Sequence, residues 1–336
     1  MIVMHPQPSP TLMFETLGGF QRSMALKGAI DLDLFTRIAE GATTVPELAR
    51  RMEASEKGVR ALCDFLTVLG FLTRREGAYA LTLDSAVFLN KRSPAYLGGV
   101  ASFIAHPSQV AHFLDMAAVV RKGGSIAGEH TLNPDDPVWV EFARSMAPIA
   151  GASAAAAAAI LAEPGGPMKV LDIAAGSGAF GIEILKRNPA AEVYAQDWKS
   201  VLELSVENAR RAGVADRYRT IPGSAFEVDF GEAYDLILVP NFVHHFDPAT
   251  NVKLLGKVRG ALRSAGKVAI IEYTPNEDRI SPPVPAIMSL SMLATTEGGD
   301  AYTVPELESM LREAGFKASW VRELGETQQT LIQAGV

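Results

Sequence analysis

Apolar positions along the chain change their period near residue 165. Before that point they recur at helical spacing, and after it short continuous apolar runs alternate with amphipathic stretches. Pro6, Pro8 and Pro10 mark a loose tail, and from Thr11 the positions Leu12, Phe14, Leu17 and Phe20 predict a helix. Residues 29–41 (AIDLDLFTRIAEG) read as a second helix, ended by Gly41. Thr44-Val-Pro-Glu47 has a hydroxyl residue three before a glutamate, which predicts a capping box with proline inside the first turn. The helix ELARRME follows, then Ser55 as another N-cap and the longer helix KGVRALCDFLTVLG. FLTRREGAYALT, centred on Glu76-Gly77, predicts a hairpin. Helices followed by a hairpin make a winged helix-turn-helix.

Residues 106–162 read as helical throughout, interrupted at Gly123-Gly124 and at the 133–137 turn (NPDDP). The run AGASAAAAAAILA is rich in the strongest helix former and predicts a close-packed helix. Glu163-Pro-Gly-Gly-Pro167 breaks the pattern, which gives three segments: 11–105, a helical link at 106–163 that covers the site, and 164–336. In the last, seven strands are predicted, at 169–174, 192–197, 216–222, 234–240, 266–273, 316–323 and 330–335, with helical segments between most of them. Continuous apolar strands such as LILV and VAII in that alternation predict an α/β fold, a doubly wound, mostly parallel, Rossmann-like sheet covered on both faces. The final two strands follow one another directly and predict an antiparallel edge.

Composition narrows the possibilities. The chain has 336 residues, enough for two cores, with 48% apolar and 21% charged residues. No run of about 18 strongly apolar residues is read in it, and the N-terminus lacks the pattern of a secretory signal, so a cytoplasmic protein with no membrane partner is expected. Cys63 is the single cysteine, which excludes an internal disulfide and a cysteine-based metal site. The net charge of −7 disfavours nucleic acid as a partner. The predicted third helix of the winged motif has only Lys57 and Arg60 near its start before turning apolar at Val59, Leu62, Phe65, Leu66 and Leu69. It is therefore expected to face another subunit and not DNA.

The chemistry concentrates in VLDIAAGSGAFGIEIL. A buried strand ends at Asp172, glycines follow at 176, 178 and 181, and a helix begins. Asp197 stands 21 residues after Gly176, at the end of the next strand, where a carboxylate can accept two ribose hydroxyls. A nicotinamide site and a nucleoside-sulfonium site need the same parts, and a plain strand–helix turn needs the glycines alone. Asp172 at the strand end, with Ala174-Ala175 before the first glycine, would repel a pyrophosphate and suits a cationic ligand.

With these residues in place, the chain resembles the class I S-adenosylmethionine-dependent methyltransferases. It is most similar to the small-molecule O-methyltransferases that include plant caffeate and bacterial polyketide and phenazine enzymes. The resemblance covers nearly the whole chain. It implies a homodimer joined through the N-terminal winged-helix domain, S-adenosylmethionine as cofactor, no metal, and a small aromatic or polyketide-like acceptor methylated at oxygen. It puts Asp172, Ala174, Gly176, Gly178, Asp197, Trp198, Ser224, Ala225, Phe226 and Asn241 around the cofactor. His244 stands in VPNFVHHFDP where the family has its base, and Glu272, 28 residues later, stands where the family orients that base. Phe142, Met146, Met288 and Met292 are expected to roof an apolar acceptor pocket.

The chain departs from the family pattern at four places. Ser224 replaces the aspartate that bonds the adenine amine, and His245 replaces the aspartate after the catalytic histidine. Pro240 replaces a lysine, and Ala301 replaces a second supporting glutamate beyond Gly298-Gly299. His245 or Asp300 is expected to compensate, or the acceptor is not a simple phenol. Three alternatives follow: methylation of an activated carbon, a non-methylating enzyme that keeps the cofactor, and a ligand-sensing DNA-binding protein.

Overall fold

The structure, a computed structural model, describes residues 8–127, 138–162 and 165–336. The expected 133–137 turn and Glu163-Pro164 lie outside these residues. The chain divides into two compact units, Met1–Pro107 and Ser108–Val336.

The first unit holds α1 (Thr11–Leu17), α2 (Gly19–Asp31), α3 (Leu34–Ala39), α4 (Val45–Arg51), α5 (Glu56–Val68), β1 (Leu72–Arg75), β2 (Ala78–Leu81), α6 (Leu83–Phe88) and α7 (Val100–Ile104). The helix expected at 29–41 is two helices, because Asp33 takes a left-handed conformation (φ 59°) and ends the ladder between α2 and α3. Ser55 caps α5 as expected, accepting the Gly58 amide at 3.1 Å. Thr44 makes no side-chain cap, and the Glu47 carboxylate bonds Arg51 at 2.9 Å. The identical tetrapeptide at Thr303–Glu306 does close a capping box. Val59, Cys63 and Leu66 of α5 are buried in the unit's own core with Leu34, Phe35, Leu48 and Tyr79. Of the positions on α5 expected to face another subunit, Val59 and Leu66 are instead buried in this core. The exposed apolar face belongs to α1 and α2, where Leu12, Phe14, Leu17 and Phe20 are each about two-thirds exposed or more.

The second unit follows α8 (Pro107–Ala111) with α9 (Met116–Lys122) and α10 (Val138–Leu161). The α/β part then runs β3 (Met168–Ile173), α11 (Ala179–Arg187), β4 (Ala191–Asp197), α12 (Lys199–Arg211), β5 (Tyr218–Pro222), β6 (Tyr234–Pro240), α13 (Pro248–Ala261), β7 (Leu262–Glu272), α14 (Pro283–Thr295), α15 (Val304–Glu313), β8 (Ser319–Glu323) and β9 (Thr330–Gly335). The sheet order is β5-β4-β3-β6-β7-β9-β8, parallel except that β9 is antiparallel to both neighbours. Along β3 and β6 the alternation of side chains sorts the core. Val170, Leu236 and Leu238 face the layer of α10, α11 and α12, and Leu171, Ile173, Ile237 and Val239 face that of α13 and α15. Parallel strands buried on both faces need apolar residues at every position, which is why LILV and VAII are continuous.

By length and composition α10 could cross a membrane, which corrects the expectation that no such run exists. Its alanine face explains the composition, for Ala154, Ala157, Ala158 and Leu161 are buried in the core beside α11. Helices α9 and α10 of the expected link 106–163 fall in the second unit.

The strand order reverses between β3 and β6, so their carboxyl ends open a crevice where open α/β sheets bind ligands. Helix α11 lies close on the sheet there because Gly181 has no side chain. A Cβ at that position would stand 2.7 Å from Val193 Cγ1 and 3.0 Å from Asp172 Oδ2. Gly181→Ala is expected to lower stability by about 1–3 kcal/mol through overpacking, measured by urea unfolding. An unchanged midpoint would show that the helix shifts freely.

Candidate active site

Two residues at the tip of β4 fasten the loops on either side of it. The Ala175 amide donates to the Gln196 carbonyl at 3.0 Å, the Ala174 amide to Gln196 Oε1 at 3.3 Å, and the Gly176 amide to Asp197 Oδ2 at 2.8 Å. On the other side the Gly223 amide donates to the Asp197 carbonyl at 3.0 Å, and Gln196 Nε2 donates to the Gly223 carbonyl at 2.5 Å. Asp197 Oδ1 accepts the Trp198 amide at 2.7 Å, so both carboxylate oxygens are oriented and each keeps a lone pair. Burial pushes the Asp197 carboxyl up to about 6, against the opposing Gly176 and Trp198 amides. The loop is tight: Ala174 (φ 51°) and Gly176 (φ 56°) both stand in the left-handed region, and an alanine there stores strain of about 1 kcal/mol or more.

These loops border a cavity of about 400 Å³. Of the residues expected at the cofactor, Ala174, Gly176, Asp197, Trp198, Ser224, Ala225, Phe226 and Asn241 line it. Asn241 also takes a left-handed conformation (φ 51°), with Oδ1 accepting from Gln329 Nε2 at 2.5 Å. Gly178 does not line the cavity. It turns the chain into α11 at φ 80°, against Tyr218 and Ser205. Asp172 does not line it either. It is fully buried beneath the loop, where Oδ2 accepts the Gly181 amide at 2.9 Å and Oδ1 has no partner among the described residues. Trp139, Ala143, Gln196, Val201, Gly223, Glu227, Phe242 and Phe246 complete the wall and were not anticipated. Gln196 was within reach of the sequence, as the neighbour of Asp197 at a strand's carboxyl end; the rest depend on tertiary packing.

The two histidines part company. His244 is buried, and its Nδ1 lies 2.7 Å from Glu272 Oε2 at the end of β7. The His244 amide donates to the other Glu272 oxygen at 3.4 Å. His245 lines the cavity, with its ring centroid 4.4 Å from that of His244. Burial, and then the adjacent His244, hold the His245 pKa well below the ordinary imidazole value, so this ring is neutral at working pH. Gly299 presses its backbone on the His244 turn: a Cβ there would collide with the His244 carbonyl, at 2.3 Å.

Of the expected acceptor-side residues only Phe142 reaches this cavity, where it packs edge-on against Trp139. Met146, Met288 and Met292 are not among its lining residues, and Met292 is packed away with little exposure. The Asp300 carboxylate makes no bond to His244. It is taken by Arg279 at 3.1 Å and by the Ser289 hydroxyl. Among the described residues no group of three His, Cys, Asp or Glu side chains is placed to hold a metal ion.

A glycine turn after the first strand of a doubly wound sheet, with a bare-edged carboxylate at the tip of the second, defines an adenosyl-binding α/β domain. The cavity fits such a ligand: Asp197 offers lone pairs to a ribose diol, aromatic side chains line the walls, and the carboxylates of Asp197 and Glu227 favour a cation. Comparison with known proteins makes the identity specific. Residues 133–317 match the O-methyltransferase domain, and residues 14–91 match the O-methyltransferase dimerisation domain. A crystal structure from Nostoc punctiforme PCC 73102, classed provisionally as an O-methyltransferase, is 48% identical with a TM-score of 0.94, covering 98% of this chain and 100% of that one. The 3-hydroxy-5-methyl-1-naphthoate 3-O-methyltransferase of Streptomyces sahachiroi is 28% identical over 312 residues, 91% of this chain and 89% of that protein. Human N-acetylserotonin methyltransferase in complex with S-adenosylmethionine shares the fold, with a TM-score of 0.84 at 21% identity over 100% of this chain and 99% of that one. The chain belongs to the O-methyltransferase family, and it is an S-adenosylmethionine-dependent methyltransferase.

Burial pushes the Asp172 carboxyl up to about 7, against the Gly181 amide and with help from nearby Asp197. A carboxyl whose folded value is raised stabilises the fold most below about pH 4, and that contribution is lost as pH climbs toward 7. The stability of Asp172→Asn relative to the parent is therefore expected to improve by about 3 kcal/mol between pH 4 and 7 and to level off above. Urea unfolding across that range measures it, and a pH-independent difference would contradict it.

Proposed function

We propose that the enzyme methylates a hydroxyl group of a small aromatic or polyketide-like metabolite, with His244 as general base. The Glu272 carboxylate at Nδ1 is the observation that carries this reading. It holds the proton on Nδ1 and leaves the Nε2 lone pair free, and among the described residues Nε2 has no hydrogen-bond partner. Nε2 takes the proton of the acceptor hydroxyl as its oxygen becomes the nucleophile, and Glu272 faces the imidazolium that results. S-adenosylmethionine supplies a methyl group on a sulfonium. The turn at 174–176 and Asp197 orient the nucleoside, and the aromatic wall excludes water. Holding the nucleophile in line with that methyl accounts for much of the acceleration. His245 lacks an orienting carboxylate and serves as neutral wall. The aromatic acceptor is supported by the lining Trp139, Phe142 and Phe242 and by the naphthoate substrate named for the Streptomyces relative.

His244→Ala is expected to lower kcat by about 10²–10⁴-fold while the Kd for S-adenosylhomocysteine moves less than about threefold. Glu272→Gln should fall between it and the parent, and His245→Ala should keep kcat within about tenfold. A collapse of His245→Ala with His244→Ala intact would transfer the role to His245. Label from methyl-labelled cofactor found on carbon, in a panel of phenols and hydroxynaphthoates, would overturn the O-methyl reading.

The enzyme is further proposed to be a homodimer, supported by the dimerisation domain and by the exposed apolar face of α1 and α2. Light scattering should give the mass of two chains, falling to one when Phe14 and Leu17 are replaced by Asp. A single-chain mass for the parent contradicts the proposal.

A further inference from the structure

Asp197 accounts for a ribose, but an adenosyl ligand also presents an exocyclic amine that needs an acceptor. Ser224, where the family has a carboxylate, is a poor candidate. Its carbonyl already accepts the Glu227 and Val228 amides, and its hydroxyl oxygen accepts the Phe226 amide at 3.3 Å. Three residues on, Glu227 also lines the cavity. It and Asp197 are the only carboxylates among the lining residues. The Glu227 carboxylate makes no hydrogen bond or ion pair among the described residues.

The turn that carries Glu227 is placed and braced. It leaves β5 at Pro222, which pairs with Asp197 of β4, so residues 223–228 begin beside the ribose acid. Behind it Lys257 of α13 donates to the carbonyls of Ala225 at 2.9 Å and Val228 at 2.6 Å. Phe226 stands edge-on to Phe246 with centroids 5.0 Å apart, and both rings line the cavity beside the turn. Asp197, these rings and Glu227 thus border one cavity, with Glu227 at its exposed side.

We infer that Glu227 is the group that reads the adenine amine, taking over at a new position the role the family gives to the residue at 224. It selects adenosyl over other nucleosidyl ligands, and Lys257 is a positioning residue for its turn. The inference rests on the adenosyl reading of the cavity. An amine donates to a carboxylate, whereas the keto oxygen of an inosyl base is an acceptor and is repelled by it.

Calorimetry with S-adenosylhomocysteine and S-inosylhomocysteine on the intact protein tests this. The parent should bind the adenosyl ligand at least about tenfold more tightly than the inosyl one. Glu227→Ala should weaken the adenosyl ligand about tenfold and leave the inosyl ligand unchanged or improved, so that discrimination disappears. Glu227→Gln, which keeps an acceptor oxygen but no charge, should retain part of it. Discrimination that survives Glu227→Ala and vanishes in Ser224→Ala would overturn the assignment in favour of Ser224. Discrimination that survives both variants would also overturn it. Failure of the parent to bind either ligand would instead remove the adenosyl reading itself.

Discussion

The site depends on one hydrogen bond, that from the Gly176 amide to the Asp197 carboxylate, 2.8 Å long. It ties the turn after β3 to the tip of β4. Around it the same strand end holds the loop after β5 through the Gly223 amide and Gln196. Three loops that would each be free at the end of a parallel sheet are thereby made one surface. The left-handed conformations of Ala174 and Gly176 follow, since only a sharp reversal brings the Gly176 amide to that carboxylate.

Beneath this surface the sheet concentrates charge where it is least solvated. Asp172 is enclosed with one oxygen unpartnered among the described residues, and burial, with Asp197 nearby, raises its pKa. A second buried polar pair, His244 with Glu272, sits beyond the end of β6 and at the end of β7. The wall that lies between these centres is aromatic. An arrangement of this kind suits a cationic nucleoside and needs few polar contacts to an apolar ligand.

Much of the fold could be read from the sequence because continuous apolar strands such as LILV have few other meanings. The carboxyl-end residues Asp197, His244 and Glu272 were readable for the same reason, since strand ends are where such sheets bind. What could not be read turned on competition between local options. Thr44-Val-Pro-Glu47 and Thr303-Val-Pro-Glu306 are the same sequence, yet only the second closes a capping box, so the tetrapeptide alone does not decide it. Asp33 splits a helix that its apolar period runs straight through. Met146, Met288 and Met292 had the right chemistry for a pocket roof but do not line this cavity, because helical spacing says which residues share a face and not what that face meets. Glu227 carried no motif, and only its place on a turn beside Asp197 makes it notable.

A crystal structure with S-adenosylhomocysteine tests the central claim most directly. Both ribose hydroxyls should lie within hydrogen-bond distance of Asp197, with the thioether against the 174–176 turn on the side of His244. An ordered ligand whose ribose avoids Asp197, or whose sulfur is directed away from His244, would contradict it.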